Sequence, residues 1–117
     1  MIILFDLSRV ILFPKDKTYA KDLNPLYAKL TEKEKEKFWE YFELNNSLLA
    51  ALEELQKKQD IYMFTSGLIQ DAPQLKQALK VFKKIYSAEK MNMHKTNPRA
   101  YQLIARDLNK NQLKFCL

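Results

Sequence analysis

The chain has one glycine, Gly67, and one cysteine, Cys116, among 117 residues. A single cysteine excludes an internal disulfide and a cysteine-rich zinc site, and it reads as a protein of a reducing, cytoplasmic setting. With glycine almost absent, asparagine, aspartate, proline and serine must punctuate the fold. The longest apolar run near the start, "MIILF", is too short to cross a membrane. It also lacks the basic leader and small-residue cleavage site of a secretion signal, so no membrane partner is expected. There is one histidine, His94, and no repeat or low-complexity tract.

What is present is a core-forming composition. Hydrophobic residues make up 47% of the chain, enough for one domain spanning 1–117. The formal net charge is +6, with 20 Lys and Arg against 14 Asp and Glu. The lysines alternate with glutamates in "TEKEKEKF" or lie on outer faces in "LKQALKVFKK". That pattern describes a solvated surface. Nucleic acid is an unlikely partner, because no aromatic–basic interleaving accompanies the charge.

Along the chain, "MIILFDL" is a continuous apolar run closed by a carboxylate, the signature of a strand buried on both faces. "VILF" and the turn or flap "PKDK" follow. "TEKE" forms a capping box on Thr31 and Glu34 and opens a helix carrying Phe38, Trp39, Tyr41 and Phe42. After "NNS", Leu48, Ala51, Leu52 and Leu55 fall at helical spacing. "DIYMFTSG" is a second buried strand. Leu75, Ala78, Leu79 and Phe82 predict a further helix, and "KKIYSA" a short strand. "MNMHKT" is a loop. Asn97 and Pro98 suit the N-cap and first turn of a helix reaching about Leu108. "QLKFCL" reads as the next strand, with Cys116 a packing residue.

Alternation of strands and helices predicts an α/β fold, a Rossmann-like parallel sheet of about four strands joined by right-handed crossovers. Ligands of such sheets bind beyond the carboxyl ends of the strands. Asp6, the pair Thr65 and Ser66, and Lys95 converge there. Asp6 can attack phosphorus and form an acyl-phosphate. Thr65 or Ser66 can donate to phosphoryl oxygens, with backbone N–H groups of the turn opened by Gly67. Lys95 adds a positive charge, and Mg²⁺ would let carboxylate and phosphate approach.

These segments resemble the haloacid dehalogenase-like (HAD) hydrolase superfamily, most of whose members are phosphatases. "IILFDLSRVILF" is similar to its first motif, with Asp6 at the nucleophile position. "IYMFTSG" is similar to the second, with Thr65 at the phosphate-binding hydroxyl, and "MHKTNPRAYQLIARDLN" to the third, with Lys95 as its lysine. The resemblance implies a Mg²⁺-dependent phosphomonoesterase acting on a small phosphorylated substrate, with Asp6 and the backbone of Ser8 holding the metal. It also implies that residues 14–45 form a short helical cap-like insert, whose aromatic cluster either shields the site or packs in the core.

Two departures follow from the resemblance. Ser8 stands where the superfamily usually has a second aspartate as general acid and base, and serine is a poor one near neutral pH. Dehalogenases of the superfamily share that departure, which leaves a carbon–halogen substrate as an alternative. In the superfamily the strand matching "LKFCL" runs into an acidic fourth motif that completes the metal site. The chain therefore reads as an incomplete HAD-like core, truncated before that motif, with weak or no activity expected. The alternative is a non-catalytic remnant or interaction module that forms homo-oligomers through an edge strand at 113–117.

Overall fold

The computed structural model describes residues 2–108 in full and the strand 113–116 by its backbone. Leu117 and the side chain of Cys116 lie outside the described residues. The fold is mixed α/β. Strands β1 (Ile2–Phe5), β4 (Tyr62–Thr65), β5 (Lys84–Ser87) and β6 (Leu113–Cys116) form one sheet in the order β5-β4-β1-β6. Every neighbouring pair is parallel: Leu4 stands opposite Tyr62, Tyr62 opposite Lys84, and Ile2 opposite Leu113. The short strands β2 (Leu12–Pro14) and β3 (Phe42–Leu44) pair antiparallel in a second, two-stranded sheet.

The continuous apolar runs have a simple cause. A strand with both faces covered must be apolar at every position, and β4 is buried throughout. Met63, with Ile61 just before the strand, turns to one face; Tyr62 and Phe64 turn to the other. The first face receives helix α4 (Asn46–Gln56) through Leu49 and Leu52, the segment 69–82, and the insert between β2 and β3. The second is covered by helix α5 (Pro98–Asp107), which lays Ala100 and Ile104 on Leu4, Phe64 and Tyr86.

Start signals held where a side chain caps the backbone. Thr31 and Glu34 form the reciprocal capping box of helix α2 (Glu32–Glu36). The Asn97 carboxamide accepts from the Arg99 N–H at 3.0 Å, with Pro98 at the first helical position. Asn45 caps α4 by accepting from the Leu48 N–H at 3.1 Å, and its side chain donates to the Val10 carbonyl at 3.3 Å.

Two expectations needed correction. The helix opened at Thr31 breaks at Lys37, and a second one, α3 (Phe38–Tyr41), hands over directly to β3 at Phe42. The helix expected over Leu75, Ala78, Leu79 and Phe82 is instead a chain of three tight 3₁₀ turns, Ile69–Asp71, Pro73–Leu75 and Ala78–Val81. Pro73 lacks an N–H to extend a helix. A three-residue repeat also puts Leu75 and Ala78 on one side, so the apolar spacing fits both geometries.

The insert contains helix α1 (Leu23–Lys29), α2 and α3. Its Phe38 and Phe42 are fully buried, 4.7 Å apart between ring centres, and Tyr27 meets Phe38 edge-on at 5.9 Å. Phe38 and Phe42 are therefore core. Trp39, 41% exposed, packs edge-on against Phe38.

Candidate functional site

Because β1, β4 and β5 run parallel, their carboxyl ends share one edge of the sheet, where Asp6, Ser66 and Ala88 leave the strands. An open cavity of about 700 Å³ lies there. Asp6, Ser8, Ser66, Gly67 and His94 line it, with Asp22, Asn24 and Pro25 from the insert and Glu89, Asn92 and Met93 from the loop after β5.

Asp6 is held at both oxygens. Oδ1 accepts from the Leu7 N–H at 2.7 Å, and Oδ2 lies 2.8 Å from Lys95 Nζ. Both side chains are mostly covered, 26% exposed for Asp6 and 20% for Lys95. Nζ also stands 5.4 Å from the centre of the Phe64 ring, and Phe64 packs edge-on against Tyr101 of α5 at 5.2 Å. Burial, then the Asp6 charge, pushes the Tyr101 phenol above its ordinary range. The loop placed by the Asn97 cap thus delivers Lys95 to the end of β1.

The hydroxyls divide. Ser66 and Gly67 line the cavity, while Thr65 is 1% exposed and its Oγ1 has no hydrogen-bond partner among the described residues. A buried hydroxyl without a partner is costly, of order 1–3 kcal/mol. Ser8, at the position of the expected second carboxylate, lines the cavity. His94 is exposed at its rim. Its Nδ1 accepts from the Thr96 N–H at 3.3 Å and lies 2.7 Å from Thr96 Oγ1, an arrangement that puts the ring proton of the neutral imidazole on Nε2.

Gly67 stands at a close approach. A Cβ there would stand 2.5 Å from Asn24 Cγ and Oδ1, and Asn24 Oδ1 accepts from the Ile69 N–H at 3.3 Å. The Asn24 side chain therefore joins the insert to the turn after β4. Sequence reasoning brought Asp6, Lys95 and the Ser66–Gly67 turn together. It missed the insert's Asp22, Asn24 and Pro25, and Glu89, Asn92 and Met93 after β5. "DLNP" carried a signal, since Asp, Asn and Pro at a helix start are also residues that present polar groups at a rim.

A metal fits these residues poorly. Asp6 and the Ser8 carbonyl are the donors the resemblance assigns to Mg²⁺, and Asp6 already shares Oδ2 with Lys95. Asp6, Asp22 and Glu89 line one cavity, but among the described residues no three His, Cys, Asp or Glu side chains lie close enough together to hold a metal ion, whereas Mg²⁺ asks for six near-octahedral oxygens. No helix among the described residues is long and apolar enough to cross a membrane. No family model, curated protein or solved structure matches the chain.

Proposed function

We propose that this chain is a HAD-like phosphohydrolase core that binds a small phosphomonoester in the cavity at the end of β1 and turns it over slowly through Asp6. The observation that carries the reading is the half-buried Asp6–Lys95 pair, 2.8 Å apart, at the carboxyl edge of a parallel sheet. A carboxylate and a cation pair there beside the Ser66–Gly67 turn, while the Thr65 hydroxyl that the resemblance assigns to phosphate is buried. The Rossmann-like topology and the cap-like role of the insert belong to the same reading.

The chemistry needs little motion. Phosphate entering the cavity takes Lys95 as counter-charge, which frees an Asp6 oxygen. That oxygen attacks phosphorus as the ester P–O bond breaks, giving an aspartyl-phosphate and an alkoxide that takes a proton from water. Water then attacks the same phosphorus, releasing phosphate and restoring the carboxylate. Ser8 supplies no effective acid or base, so slow turnover and good leaving groups are expected. Asp22 and Glu89 on the wall repel a second anionic group, which favours substrates whose body is neutral or cationic. Mg²⁺ belongs to the reading only by resemblance, and no step here runs through it.

The test is hydrolysis of p-nitrophenyl phosphate with and without Mg²⁺, beside an Asp6→Asn control. Turnover by the parent that drops to buffer background in Asp6→Asn is the expected result. Turnover indifferent to Asp6→Asn, or a flat trace from a folded sample, sinks it.

A second reading rests on the sheet edge. β6 pairs with β1 alone among the described strands, and an unpaired edge is a template for another chain. A non-catalytic module that self-associates there predicts a scattering mass that rises with concentration. A monodisperse monomer at high concentration removes this reading.

A further inference from the structure

The last residue of β5, Ser87, takes no part in the chemistry above, yet it is buried beneath the cavity, 3% exposed. Its Oγ donates to the Gly67 carbonyl at 2.6 Å and accepts from the Lys90 N–H at 3.3 Å. Its neighbours complete the pattern: the Ala88 N–H donates to the Thr65 carbonyl at 2.9 Å, and the Glu89 N–H to the Ser66 carbonyl at 3.1 Å. Three successive carbonyls, of Thr65, Ser66 and Gly67, are therefore consumed by residues 87–89. The N–H groups of Ser66 and Gly67, by contrast, donate to no loop carbonyl among the described residues. From the other side the Asn24 carboxamide fills the space a Cβ on Gly67 would need.

A turn whose carbonyls are all fixed, whose N–H groups have no loop carbonyl to bond and whose residues line a cavity is prepared for an anion, since donors already oriented pay no reorganisation when the ligand arrives. We infer that Ser87 is the positioning residue of this turn: its hydroxyl clamps the Gly67 carbonyl so that the Ser66 and Gly67 N–H groups stay available to phosphoryl oxygens. This rests on the phosphate-binding reading of the cavity and adds a residue that none of the motifs contains. The clamp also joins the two rims, because the hydroxyl that holds Gly67 accepts from Lys90 at the start of the loop bearing Asn92, Met93 and His94. Without it, the Gly67 carbonyl loses its partner and the turn is free to rotate.

With one glycine in the chain, [¹⁵N]glycine labelling gives a single amide resonance at the site itself. Titration of the full chain with inorganic phosphate should shift that resonance saturably. Ser87→Ala should displace the resonance in the free protein and weaken phosphate binding about tenfold, the worth of one lost hydrogen bond. Ser87→Thr, which keeps the hydroxyl, should restore most of the affinity. Lys95→Ala should weaken binding while leaving the free-state Gly67 resonance in place. Ser87→Ala that is folded and binds phosphate as the parent does overturns the clamp. Should Ser87→Ala not fold, the parent titration still decides. Lys95-dependent binding with an unmoved Gly67 amide overturns the clamp and leaves the cavity reading standing. Absence of any phosphate-induced change overturns both.

Discussion

On one face of the central sheet, Phe38 and Phe42 of the insert, Leu49 and Leu52 of α4, and Leu75, Leu79 and Phe82 from the 3₁₀ turns pack on Phe5 and Met63. On the other, a single helix lays Ala100 and Ile104 on Ile2, Leu4, Phe64 and Tyr86. The first face is covered by three separate stretches of chain. The second is covered by one loop and one helix. Lys95, the cation of the site, rides on the second face, over the Phe64 ring that packs edge-on against Tyr101. The thick face holds the larger share of the buried side chains, and the thin face carries the cation of the site. Under the proposed phosphohydrolase reading this division is useful, because Lys95, the group that would exchange partners, sits where less packing opposes it.

Large-to-small substitution tests that difference most directly. Phe38→Ala on the thick face removes a fully buried ring that touches Tyr27, Trp39 and Phe42, and should cost about 3–5 kcal/mol. Ile104→Ala on the thin face should cost about 2–3 kcal/mol, because α5 covers its face alone and can settle into the space. Urea unfolding of both variants measures the gap. Equal losses, or a larger one at Ile104, would break the comparison.

The two faces were not equally legible in the sequence. The thin face was, because its parts announce themselves: a strand ending in Asp6, a strand ending in Thr65 and Ser66, and an Asn97–Pro98 helix start that fixes the loop holding Lys95. Each signal is local, a backbone need met by a neighbouring side chain. The thick face was only partly legible. Its 3₁₀ turns carry apolar residues at a spacing that an α-helix shares, and the helical run stops at Tyr41, where Phe42 of β3 pairs with Pro14 of β2, a contact 28 residues away in sequence. The cavity shows the same split. Asp6 stands out as a carboxylate after an apolar run. Ser87 gives no such signal, since a serine closing "KKIYS" passes for a small packing residue until the Gly67 carbonyl is seen beside it.

The smallest effect is also the one that most sharpens the thin face. Tyr86 is a buried phenol of that face, and its hydroxyl donates to Asp107 Oδ2 at 2.5 Å, where Lys84 also binds at 2.6 Å. Burial, then the bond to Asp107, raises the Tyr86 phenol well above its ordinary range; Lys84, then Tyr86, holds the Asp107 carboxyl below its own. The signs are opposite. Asp107 adds stability that is present above the usual carboxylate range and is lost as pH falls. Tyr86 adds stability that is full below about pH 10, where an unfolded tyrosine ionises, and is lost as pH rises beyond it. Tyr86→Phe should therefore cost about 1 kcal/mol near neutrality and should flatten the alkaline decline relative to the parent. Tyr27, Tyr41 and Tyr101 also resist ionisation, so the difference between parent and variant isolates Tyr86. Unfolding midpoints compared at neutral pH and above pH 10 decide the matter. Parallel curves would mean that this face gains nothing from its buried phenol and rests on Ala100 and Ile104 alone.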